Sequence, residues 1–222
     1  MSDSLFAAVP FAALIICAVT AAIVCRRAAA RDGGCGLRLA SSAVRRALVV
    51  AAAAVAAEHL LLLIAPEAVL RWNVDMRRLI VLEAVGAIAG CACVAAALVA
   101  LWRHVFGDPP HHASIARTLN LSVASVTIVS GVTIAVAYRW ASSWSVVTLT
   151  PYVLSLSSAQ PRVDLVASTP FLVRLHLLGA FASIALLPLG DTFAAAVTAA
   201  RGSIRTMTTL VSRARATSGE GR

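Results

Sequence analysis

Two histidines stand inside otherwise apolar stretches of this chain. His59 follows a run of alanines in AAAAVAAEHL, and His176 sits in FLVRLHLLGAF with Arg174 two residues before it and Gly179 three after. A polar side chain within a membrane span is costly and usually functional. His59 lies about thirteen residues past the arginine-rich flank of its span, roughly 20 Å at 1.5 Å per residue. His176 lies about six residues in from the opposite flank, roughly 9 Å. In a hydrocarbon core roughly 30 Å thick the two reach one level. Paired neutral imidazoles at one depth are what axial ligation of a haem iron requires. A hydrogen bond between helices or a proton path would use the same pair. The alanines at 51–54, 56 and 57, with Gly179, leave room for a wide flat ring, and Arg174 offers a charge-assisted bond to a propionate.

The remaining candidates are weaker. His104, His111 and His112 fall between apolar runs without acidic or cysteine companions, as in a solvated loop. The five cysteines, Cys17, Cys25, Cys35, Cys91 and Cys93, form neither a CxxCH haem-attachment motif nor a paired zinc pattern. Arg77, Arg78 and Glu83 form a polar cluster at the start of an apolar run, suited to interfacial snorkelling and a helix-internal ion pair. Glu58 neighbours His59 but points about 100° away on a helix. It is a candidate ion-pair partner for Arg174 or Arg78.

The elements that must carry these residues follow from composition. The chain has 222 residues, 60% hydrophobic and only 13% charged, against roughly 25% charged in soluble domains. Mean hydropathy is +0.87, and membrane protein is the class that fits. A span needs about 20 apolar residues, which predicts an all-α bundle of five transmembrane helices at about 5–25, 46–65, 79–102, 115–138 and 170–197. The whole chain, 1–222, reads as one membrane domain with a basic tail at 201–222. Asp3 precedes the first apolar run and Arg26 and Arg27 follow it, the reverse of a signal peptide, so this helix is expected to be retained.

All nineteen basic residues are arginine, thirteen in the loops and tail on one side of the predicted bundle and six on the other. The positive-inside rule then predicts an outer N-terminus and a cytoplasmic C-terminus. Trp72, Trp102, Trp140 and Trp144 all fall at predicted interfaces, where indole rings prefer to lie. The net charge of +9 is accounted for by topology and a docking partner, with no nucleic acid needed. Gly86 and Gly90, four apart, permit a close approach of helices or of a flat ligand. From about 139 to 169 the prolines Pro151, Pro161 and Pro170 argue against one continuous helix, and 144–156 is expected as a short element lying on the membrane surface.

The stretches PFLVRLHL (170–177) and LLPL (186–189) resemble the last helix of the gamma subunit of respiratory nitrate reductase. The similarity extends to WRHVF (102–106) with the helix after it, and to GAIAG (86–90). That family has five membrane helices with the N-terminus outside. The resemblance implies a bacterial inner-membrane cytochrome b subunit, an electron-transfer subunit rather than an enzyme alone. Such a subunit oxidises quinol and serves an iron–sulfur subunit and a catalytic, molybdopterin-type subunit. His59 and His176 match the pair that holds the outer of the family's two haems b, and Arg78 aligns with a basic residue that helps hold quinone. On that resemblance Arg77, Arg78 and Glu83 are candidates to hydrogen-bond a quinone oxygen, and Glu58 to accept a quinol proton. The inner pair is missing, because Val49 and Ala194 stand where its histidines belong. One haem is therefore expected. Against this stand a haem-free membrane anchor for redox subunits and a small transporter relaying protons through His59 and Glu58.

Overall fold

The computed structural model describes residues 3–30, 42–106 and 115–190, together with Phe193 and Val197. The glycine-rich loop after the first helix, His111, His112, Ala194 and the basic tail lie outside the described residues. Every regular element among the described residues is helical. They are α1 (Asp3–Ala30), α2 (Ser42–Ile64), α3 (Pro66–Asn73), α4 (Met76–Phe106), α5 (Ile115–Ala137), α6 (Ala141–Ser155), α7 (Asp164–Ala167) and α8 (Phe171–Leu186), with short 3₁₀ turns at Leu156–Ser158 and Leu187–Leu189. Four helices are long and apolar enough to cross a membrane, at Ser4–Arg26, Met76–Trp102, Thr118–Ala137 and Phe171–Leu189. A fifth span is obtained if α2 and α3 count as one broken pair.

That break has a local cause. The residue before a proline is pushed out of the helical region, and proline itself suits the first turn of a new helix. Ala65, before Pro66, has φ −127° and ψ 51°, and the chain turns by 102° between α2 and α3. Asp75 then starts α4, its Oδ1 accepting the Arg77 N–H at 2.8 Å in the manner of an N-cap. The last span is shorter than the sequence suggested. A continuous helix over 170–197 is excluded, because α8 ends at Leu186 and the chain passes through a 3₁₀ turn at Pro188 to an extended Gly190. Pro188 lacks the N–H that another α-helical turn would need.

The long spans pack as an open arc, with α2 against α4, α4 against α5, α5 against α8 and α8 against α1. One end of the arc is covered by α6, which packs on α2, α3, α4 and α7. The short element expected at 144–156 is thus a longer helix, seated on the bundle. Its anchors are specific. Thr150 Oγ1 donates to Leu62 O at 3.1 Å, and the fully buried Tyr152 donates its hydroxyl to Phe6 O at 2.7 Å. The core gathers here, with Phe6, Tyr152, Val166 and Leu177 in one cluster from α1, α6, α7 and α8.

Burial pushes the Tyr152 phenol up to about 12. A folded value above the ordinary 10 means that its stabilisation is complete below pH 10 and is lost as pH rises through about 12. Tyr152→Phe leaves the Phe6 carbonyl without its donor and should cost about 1–2 kcal/mol in a denaturation experiment at neutral pH. The variant should also lose that alkaline component of the stability profile.

Candidate functional site

α2 carries His59 and α8 carries His176, and their rings approach to 6.2 Å between centroids at an interplanar angle of 42°. The two helices do not pack along one another among the described residues, so the pair meets across the opening of the arc. His59 Nδ1 donates to Val55 O, one turn back, at 2.8 Å. His176 Nδ1 donates across to Thr127 O on α5 at 2.9 Å, with Ser130 Oγ at 3.3 Å from the same nitrogen. A carbonyl only accepts, so both Nδ1 atoms carry the proton and both Nε2 atoms keep a free lone pair. Histidines that bind metals are held this way, the second nitrogen fixed by a backbone carbonyl.

Glycines permit the fixation of His176. A Cβ at Gly131 would lie 2.8 Å from Cε1 of the His176 ring, so the ring occupies the space the glycine leaves. Gly179 of α8 faces the Thr127 side chain in the same way. Its missing side chain therefore brings α8 onto α5, close enough for the Thr127 carbonyl to be reached. On α4, Gly86 makes room for the Glu58 carboxylate of α2 and Gly90 for Val132 of α5, so the glycine pair serves two separate helix contacts. Thr127, Ser130 and Gly131 are not singled out by sequence reasoning; the Ser130–Gly131 step in an apolar run was the available signal.

The other candidates are spread around this centre. Glu58 is half-buried against Gly86 and makes no hydrogen bond or ion pair among the described residues. Arg174, one turn before Leu178 on α8, has its Nε buried without a hydrogen-bond partner. Arg78 instead lies over the Trp72 ring, 5.2 Å from its centroid, while Trp72 Nε1 donates to Arg78 O at 3.2 Å. Glu83 Oε1 accepts both the backbone N–H and the hydroxyl of Ser142, at 2.8 and 2.6 Å. It thereby caps the first turn of α6, and Asn73 Nδ2 donates to Ser142 and Ser143 beside it. Arg77, Arg78 and Glu83 therefore do not converge on one point. His104 falls in α4, and Cys91 and Cys93 there are exposed and buried respectively. Among the described residues no group of three or more His, Cys, Asp or Glu could hold a metal ion, which leaves the histidine pair as the centre to be matched.

The sequence profile of the nitrate reductase gamma subunit matches residues 2–192, nearly all of the described chain. The chain belongs to the nitrate reductase gamma subunit family. It is a multi-pass membrane protein of the kind that family contributes to a nitrate reductase complex. A search of curated proteins gives no match to the chain.

The family is one of haem-binding cytochromes b, and the residues present fit such a group. Two imidazole–metal bonds of about 2 Å, with the half-rings behind them, come to roughly 6 Å between centroids. The rings lie 6.2 Å apart between centroids, within reach of one metal if both Nε2 atoms turn toward it. Both Nε2 atoms are free, and the orphaned Arg174 Nε is a donor awaiting an acceptor. Gly131→Ala should drive the His176 ring from its seat and cost about 1–3 kcal/mol. Gly86→Ala should cost less, because the end of the Glu58 side chain can rotate away. Thermal unfolding of the two variants in detergent checks the order.

Proposed function

We propose that the chain is a mono-haem b-type membrane subunit of a quinone-linked respiratory oxidoreductase, carrying electrons between quinol and partner redox subunits. The observation that supports this most is the facing of His59 and His176 with both Nε2 atoms free. Bound there, haem b would accept electrons one at a time, which suits a donor that gives up two. The chain's own part is to hold the ligands in one tautomer through Val55 O and Thr127 O, and to offer Arg174 to a propionate. Gly179 serves indirectly, by closing α8 on α5.

Quinol oxidation also releases two protons. Of the candidate quinone residues, Glu58 is the carboxylate left unengaged beside the pair, and we assign it the role of proton acceptor. Arg78 and Glu83, with Trp72 and Ser142 as their neighbours, shape the α2–α4 corner as the quinol approach. The arginine distribution supports an outer N-terminus and a cytoplasmic C-terminus, and a bacterial inner membrane is the location this reading calls for. An iron–sulfur subunit and a molybdopterin-type catalytic subunit are the partners this assignment calls for.

A haem-free anchor is the second reading, favoured by one observation: Val49 and Ala194 replace the inner ligand pair. A reduced-minus-oxidised spectrum separates the two. The purified chain should show a single b-type signal, lost completely in His59→Ala and in His176→Ala and unchanged in His111→Ala. A chain without that signal is an anchor.

A further inference from the structure

His176 Nδ1 does not have the Thr127 carbonyl to itself. Ser130 Oγ lies 2.9 Å from that oxygen and 3.3 Å from Nδ1, while Nδ1 lies 2.9 Å from the oxygen. The three atoms close a triangle between α5 and α8. Ser130 is buried, only 3% exposed, so its hydroxyl has this triangle as its surroundings rather than solvent.

The aim of that hydroxyl is particular to this position. Ser125, Thr127 and Thr133 of α5 donate to carbonyls four residues back, those of Leu121, Val123 and Val129. By that pattern Ser130 would reach Val126. It donates instead three residues back, to the carbonyl that His176 uses.

A carbonyl oxygen has two acceptor lone pairs. α5 is unbroken from Ile115 to Ala137, and within an α-helix each carbonyl faces the N–H four residues on. Ser130 and His176 are left to share what remains on Thr127 O. A donor already on an oxygen draws charge from it, so the hydroxyl weakens that oxygen's hold on the Nδ1 proton. Ser130 Oγ itself, at 3.3 Å, is a poorer acceptor for the same proton. The consequence falls on the opposite ring nitrogen. A hydrogen bond from the far N–H raises the basicity of a ligating imidazole, and a shared acceptor raises it less. A more basic ligand favours ferric over ferrous iron, and hydrogen bonding behind a ligand is one lever on a haem's potential.

We infer that Ser130 is a positioning residue that sets the donor strength of His176 by sharing its carbonyl. It thereby keeps the potential of an iron held there higher than His176 and Thr127 alone would. The inference rests on the haem reading above. His59 Nδ1 makes one hydrogen bond among the described residues, to Val55 O, so the adjustment belongs to the α5–α8 side of the site.

The test is redox potentiometry of the purified full chain, followed at the b-type absorption band. Ser130→Ala leaves the Thr127 carbonyl to His176. It should move the ferric-to-ferrous ratio about threefold toward ferric, a midpoint lower by about 28 mV at about 59 mV per tenfold for one electron. Ser130→Thr keeps a hydroxyl in place and should bring the midpoint back to the native value. A second readout needs no haem. In the full chain carrying isotope-labelled histidine, nuclear magnetic resonance should find His176 protonated at Nδ1, with that proton further downfield in Ser130→Ala. An unchanged or raised midpoint in Ser130→Ala, a fall that Ser130→Thr does not reverse, an unmoved Nδ1 proton, or a proton on Nε2 would each overturn the role. A chain without haem would sink the function proposed above, and the Nδ1 resonance would still decide whether Ser130 weakens that bond.

Discussion

The site depends on one hydrogen bond across two helices, from His176 Nδ1 to the carbonyl of Thr127. Within α5 that carbonyl is also reached by Ser130 Oγ at 2.9 Å, so it accepts from two side chains. The bond settles which imidazole nitrogen is free, and it forms only if α5 and α8 come close. Gly131 and Gly179, one on each helix, supply the closeness. In a bilayer, where lipid is as apolar as leucine, small residues and interhelical polar contacts are what hold helices together. The α5–α8 seam has both, adding Thr127 to Ser183 at 3.3 Å and Asn120 Nδ2 to Leu186 O at 3.1 Å.

His59 is held differently. Its Nδ1 bonds within its own helix, which costs no approach of a neighbour. What places α2 is the covered end of the bundle. Thr150 ties α6 to the last turn of α2, Glu83 ties α6 to α4, and Tyr152 ties α6 to α1. The two histidines are thus fixed by separate means, one by a packed seam and one by a cap. The arc stays open between α2 and α8, where a flat prosthetic group would have to enter.

Much of this was legible in the sequence because membrane physics is strict. Spans must be long and apolar, so their number and most of their bounds follow from hydropathy. Polar residues inside them are few, so His59 and His176 stand out, and counting residues from each flank brings them to one depth. The failures are equally physical. Hydropathy alone does not mark Pro188 as a stop, so it overextends the last helix. Counting along a helix ignores its azimuth, so Gly179 was assigned to a ring although it faces Thr127. Proximity in sequence suggested that Arg77, Arg78 and Glu83 act together, whereas Arg78 stacks on Trp72 and Glu83 caps α6. Backbone acceptors such as Thr127 O carry no residue-type signature at all, and so the partner of His176 could not be read from the sequence.

Low-temperature electron paramagnetic resonance of the oxidised, purified chain tests the central claim most directly. Iron clamped by His59 and His176 should give one low-spin ferric signal of bis-imidazole type, integrating to one spin per chain. A high-spin signal, or a preparation free of haem iron, would contradict the account.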